Sequence, residues 1–140
     1  MRIGLVSYQC KNRNLPFNMR QIQLAMQRAE GQVDLLCFGE AFLQGFDALT
    51  WNYQEDQAIA LPLASDPIAQ LRTWTKQYGL ALMTGYIEQD QDKLYSSCVV
   101  LSDGEIVHNY RRISKGWKEY LLTDGHYCEG TVIESFRLQG

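Results

Sequence analysis

The sequence predicts an α/β fold built on one mixed sheet, and three observations lead there. The first forty residues read strand, helix, strand; a second helix bounded by Pro67 and Gly79 feeds a further apolar strand; and two strand-like runs flank the turn Ser102-Asp103-Gly104. A β-α-β opening favours a right-handed crossover between parallel strands, whereas a tight turn joins antiparallel ones. The sheet is therefore expected to be parallel early and antiparallel late.

Arg2 to Tyr8 is mainly apolar and reads as a buried opening strand, broken by the polar residues 12–14. From Pro16 the period becomes helical, with Ile22, Ala25, Met26 and Ala29 on one face and Gly31 placed for a left-handed cap. Val33 to Phe38 returns to strand character. Residues 47–64 lack a firm period and predict an irregular segment with one helical turn. Ser65 or Asp66 then caps a helix with Pro67 in its first turn, Ile68, Leu71 and Tyr78 along its apolar face, and Gly79 as terminator. Strands follow at 80–86, 95–101 and 105–110, with the polar run 89–93 separating the first two. A last strand is expected over Thr131 to Leu138.

One domain is the natural reading of 140 residues that are 46% hydrophobic and 21% charged. The net charge of −3 and a pI near 5.3 argue against a nucleic-acid surface, which needs clustered Lys and Arg. The nearest basic group, Arg111, Arg112, Lys115 and Lys118, is short and runs into Glu119. Nothing in the sequence resembles a spanning helix or a signal peptide, so no membrane partner and a cytoplasmic setting are expected. Cys10, Cys37, Cys98 and Cys128 form no CxxC pair; Cys37 and Cys98 read as core residues, Cys10 and Cys128 as accessible ones. Glu40, Asp47, His108 and His126 lack ligand-like spacing, so neither a metal nor a cofactor is expected.

The run Val33 to Phe46, VDLLCFGEAFLQGF, carries the strongest functional signal. Its apolar strand ends at Glu40 and passes into a turn, which sets a carboxylate at the C-terminal mouth of a strand. Ligands in open α/β sheets bind at that end. Trp51, Tyr53, Trp117 and Tyr120 flank the same region as candidate pocket walls.

In this order the blocks resemble the N-terminal half of the nitrilase (carbon–nitrogen hydrolase) superfamily. The resemblance covers nearly the whole chain: an opening strand, a helix carrying Asn18, DLLCFGEAFLQGF, a helix ending YGLALMTGYIE, then YSSCVVLSDGEIVHNYRR. It implies half of an α-β-β-α sandwich, a mixed sheet with helices on one face. It also implies a Glu-Lys-Cys mechanism, in which a thiolate attacks a nitrile or amide carbon, a glutamate moves protons and a cation supports the developing charge.

Carried onto this sequence, the resemblance makes Glu40 the general base, preceded by Gly39 where the family most often has proline. At the lysine position stands Arg112, a permanently charged and larger group, with Lys115 and Lys118 as nearby alternatives. Glu119 corresponds to a second, supporting glutamate. The family cysteine lies beyond a strand resembling Thr131 to Leu138, past Gly140, and a complete domain is about twice this length.

The expectation is thus an N-terminal part of a hydrolase acting on a non-peptide amide or nitrile, inactive by itself. The alternative is a non-catalytic truncated half-domain that serves as a binding or oligomerisation module. Either way the uncovered sheet should expose apolar surface, which predicts a homodimer through that face.

Overall fold

The computed structural model describes residues 1–138. Its elements run β1 (Ile3–Leu5), α1 (Leu15–Ala29), β2 (Leu35–Cys37), α2 (Tyr53–Gln57), α3 (Asp66–Tyr78), β3 (Ala81–Asp90), β4 (Lys93–Ser102) and β5 (Glu105–Arg111). The five strands form one sheet in sequence order. β1 and β2 pair in parallel, as do β2 and β3, while β3–β4 and β4–β5 are antiparallel.

Local chemistry explains the helix ends. The Asn14 side chain accepts a hydrogen bond from Phe17 N at 3.1 Å and caps α1, whose first turn contains Pro16. Gly79 closes α3 at φ 62°, a left-handed conformation that costs glycine nothing. Ile22, Met26, Ile68 and Leu71 from the two helices are fully buried against Leu36, Leu82, Val99 and Leu101 of the sheet. Both helices therefore cover one face.

The other face is built from the alternate residues of the same strands, because side chains along a strand point to opposite sides. Register aligns Ile3 with Leu35 and Ala81, and Leu5 with Cys37 and Met83. The opening strand is not buried as its composition predicts: Ile3 is 57% and Leu5 84% exposed. It is an edge strand, and its outward side chains have no second layer above them.

Thr131 to Leu138 is the second correction, for it forms no strand. Its β-branched residues have the propensity, but the segment crosses the sheet face instead of aligning with an edge, and propensity without a ladder partner makes no strand. Phe136 stacks on His108 of β5 with ring centroids 4.9 Å apart, and Leu138 packs with Leu35, Cys37 and Ala81. Among the described residues no helix is long and apolar enough to cross a membrane.

Candidate active site

Glu40 leaves β2 on a loop that the rest of the chain holds from several sides. Ala41 adopts φ 51°, a conformation that costs a non-glycine residue strain and therefore needs support. Two buried amides supply it. Asn18 Nδ2 donates to the carbonyls of Lys11 and Leu43, at 2.8 and 2.9 Å. Gln44 Nε2 donates to the carbonyls of Ile59 and Ile87, and its Oε1 accepts from Ile87 N at 2.9 Å.

Gly85 on β3 is the residue that sequence reasoning missed. A Cβ there would lie 2.6–2.7 Å from Ala41 N, Glu40 Cα and Gly39 O, so only glycine lets the Glu40 loop rest on the strand. Its N–H donates to Gly39 O at 3.2 Å. An isolated glycine inside a strand pattern was the available signal.

Across the sheet, Glu40 Oε1 accepts from Ser96 Oγ at 2.9 Å and from Arg112 Nη1 at 2.7 Å. Arg112 follows β5 directly, and its backbone is fixed by Arg112 N donating to Ser96 O at 2.8 Å and Gly130 N donating to Arg112 O at 3.0 Å. Both side chains are partly open to solvent, 39% for Glu40 and 35% for Arg112. The pair thus stands at a surface rather than in the core.

Its neighbour Arg111 points to the opposite face and binds Glu88, which is only 2% exposed. Burial alone would raise the Glu88 pKa, but hydrogen bonds from Arg111, Ser97 and Asn109 outweigh it and hold the carboxyl below the usual range. Arg111 also reaches Asp90 at 2.7 Å and lies over the Tyr95 ring. Two consecutive arginines therefore clamp two glutamates on opposite faces of one sheet.

The other sequence-selected residues fall in different places. Lys118 Nζ is engaged by Tyr127 O at 2.6 Å and Glu129 Oε1 at 2.9 Å, away from Glu40. Lys115 is exposed, with its Nζ 5.9 Å from the Tyr120 ring centroid. Glu119 lines a cavity together with Glu40, Arg112, Trp51 and Trp117. Tyr53 instead stacks on His126, and Tyr120 is 60% exposed. His108 lies under Phe136 and His126 beside Asp124, so neither joins Glu40.

Glu40 and Arg112 border two hollows. One, of about 230 Å³, lies over the sheet between Gly85, Cys98 and Tyr110; the other, also about 230 Å³, lies under the loops. Cys98 is the cysteine that shares a wall with Glu40, and burial, with a smaller contribution from Cys37, pushes its thiol up to about 11. It is therefore protonated and unreactive near neutral pH.

Comparison with known proteins bears on this geometry. The chain is similar to an (R)-stereoselective amidase of Pseudomonas sp, 28% identical over 112 residues that make up 80% of this chain and 39% of that protein. It is also similar to a glutamine-dependent NAD(+) synthetase of Thermotoga maritima, 32% identical over 101 residues, 69% of this chain and 16% of that one. Among solved structures, a CN-hydrolase superfamily protein from Xanthomonas campestris superposes with a TM-score of 0.74 at 20% identity, over 94% of this chain and 46% of that one. An amidase of the nitrilase superfamily from Nesterenkonia gives 0.75 at 18%, over 94% and 49%. The chain spans about half the length of these structures and less of the curated relatives. The carbon-nitrogen hydrolase family model matches residues 2–134, nearly the whole chain, and the protein belongs to that family, the nitrilase superfamily.

Proposed function

We propose that these 140 residues supply the proton-transfer and charge-supporting side of a carbon–nitrogen hydrolase site that acts on a non-peptide amide or nitrile. The observation that carries this reading is the Glu40–Arg112 contact of 2.7 Å at the strand mouths, bordered by two cavities. In an amide reaction Glu40 takes the proton of an attacking thiol as its sulfur bonds to the carbonyl carbon. Glu40 then passes that proton to the departing nitrogen as the C–N bond breaks, and water resolves the thioester. Arg112 stabilises negative charge but does not give up its proton, so its role is electrostatic. Glu119, on the cavity wall, orients the polar groups of the substrate.

The thiol is proposed to come from outside these residues. Cys98 is too weakly acidic, and Cys10, Cys37 and Cys128 do not line either cavity. The chain by itself is then inactive. Turnover of small amides or nitriles by the purified chain is the test: cysteine-dependent hydrolysis at enzymatic rates overturns the inactivity, while restoration of hydrolysis by a polypeptide bearing the missing half supports the reading. A cytoplasmic location belongs to the same proposal, since all four cysteines are unpaired and a reducing compartment keeps them so.

A second reading, a binding or oligomerisation module, is favoured by the open sheet face. Ile3, Leu5, Val132, Ile133 and Phe136 are all at least 43% exposed on β1 and on the segment that crosses the sheet. A second copy covering that face makes a two-fold symmetric dimer. Sedimentation equilibrium checks it: a monomer at high concentration counts against the dimer, and a dimer dissociated by Leu5→Glu supports it.

A further inference from the structure

The sheet holds two glutamates with the same kinds of partner, one on each face. Ser97 and Arg111 bind Glu88, while Ser96 and Arg112 bind Glu40. Consecutive residues on a strand point to opposite sides, so one pair of serines on β4 and one pair of arginines at the end of β5 serve both carboxylates. The difference lies in which oxygens are used. Glu88 Oε1 accepts from Arg111 Nη2 at 2.6 Å, and its Oε2 accepts from Ser97 Oγ, from Asn109 Nδ2 at 2.9 Å and from Arg111 Nε at 3.2 Å. Both oxygens are occupied and the group is buried, as befits a carboxylate that serves the fold.

Glu40 is bound through one oxygen. Its Oε1 accepts from Ser96 Oγ at 2.9 Å and from Arg112 Nη1 at 2.7 Å, which uses both lone pairs of that atom, while Oε2 accepts no hydrogen bond among the described residues. Ser96 also holds the other member of the pair, because its carbonyl accepts from Arg112 N at 2.8 Å. It is itself 5% exposed and lines both hollows beside Glu40. One buried residue thus fixes the carboxylate through its side chain and the backbone of Arg112 through its main chain.

From this we infer that Ser96 is a positioning residue of the hydrolase site, holding Glu40 by Oε1 so that Oε2 is the atom that carries the proton. The inference rests on the amide or nitrile reading above. In the amide reaction Oε2 takes the proton of the attacking thiol as the S–C bond forms, and returns it to the departing nitrogen as the C–N bond breaks. Arg112 alone does not fix the carboxylate, because a single contact between two partly exposed side chains leaves both free to swing.

The first test is made on the 140-residue chain with isotope-labelled glutamate carboxyl groups read by NMR. Ser96→Ala is expected to move the Glu40 resonance toward its position in the unfolded chain, and Ser96→Thr to restore it. Ser97→Ala should move the Glu88 resonance and leave that of Glu40 in place. In Glu40→Gln the side-chain carbonyl takes the place of Oε1, so the amide nitrogen stands at Oε2 and its protons exchange with water as freely as those of an exposed glutamine. A Glu40 resonance that ignores Ser96→Ala, or that Ser97→Ala moves equally, overturns the inference, as do protected amide protons in Glu40→Gln.

The second test supplies the missing half and uses propanamide as substrate. There kcat should fall at least about tenfold in Ser96→Ala with KM little changed, the loss expected for one hydrogen bond to a charged group, and should return in Ser96→Thr. The two readings fail separately. If the complemented, unaltered chain does not hydrolyse propanamide, the hydrolase reading falls while the resonances still decide how Glu40 is held; if it does and Ser96→Ala hydrolyses equally well, the reverse holds.

Discussion

Arg112 Nη1 lies 2.7 Å from Glu40 Oε1 although 72 positions separate them in the chain, while Arg111, one residue earlier, binds the buried Glu88 through the other face of the sheet. The two pairs have the same chemistry and opposite surroundings. Their energetic consequences should therefore differ.

Arg112→Met is expected to cost less than about 1 kcal/mol of stability, because both members of its pair are more than a third exposed and water screens them. Urea denaturation measures it. A loss of several kcal/mol would make the pair part of the fold rather than of a site.

Glu88→Ala is expected to cost about 3–5 kcal/mol, since it leaves Arg111 without its principal partner and takes the acceptor from the Ser97 hydroxyl and the Asn109 amide. The pH dependence has a defined sign. Because the folded-state pKa of Glu88 is lowered, its contribution is present above the ordinary glutamate range and is lost as pH falls through that lowered value. Acid titration of stability should show a component below the usual glutamate range that is absent in Glu88→Gln.

Gly85→Ala should destabilise the chain by about 1–3 kcal/mol and displace the Glu40 loop, because the added methyl meets backbone atoms of residues 39–41 rather than a flexible side chain. Thermal unfolding together with the Glu40 amide resonance checks both parts. An unchanged Glu40 environment would contradict the packing argument.

Tyr127→Phe removes the hydroxyl that donates to Asp56, a carboxylate with no exposed surface. A cost of about 1.5–3 kcal/mol is expected for a hydrogen bond to a charged group. Loosening of Trp51, read by its fluorescence, should accompany it.

Cys98 should react slowly with thiol reagents near pH 7, and its rate should rise about tenfold per pH unit toward about 11. A mass-resolved alkylation series checks it. Rapid labelling of Cys98 at neutral pH would return it to consideration as a nucleophile.

Several elements were legible because their cause is local. Pro67 and Gly79 bracket α3, and Ser102-Asp103-Gly104 turns β4 into β5, since backbone preference at a few positions decides each feature. Glu40 at the mouth of β2 was legible for the same reason. Thr131 to Leu138 misled because strand propensity says nothing about whether an edge is available, and Ile3 and Leu5 misled because an apolar run does not reveal what lies above it. Lys118 was a candidate by proximity in sequence, yet its ammonium finds Tyr127 O and Glu129 first.

The amino-acid sequence by itself determined the α/β class, the parallel-then-antiparallel sheet and the family, because these follow from periodicity, turn chemistry and the order of short blocks. Only the tertiary structure decided which cation meets Glu40, that Gly85 makes room for it, and that Arg111 and Arg112 serve opposite faces. Those outcomes depend on side chains from distant segments competing for the same few ångströms, and that competition is resolved only when the sheet is assembled.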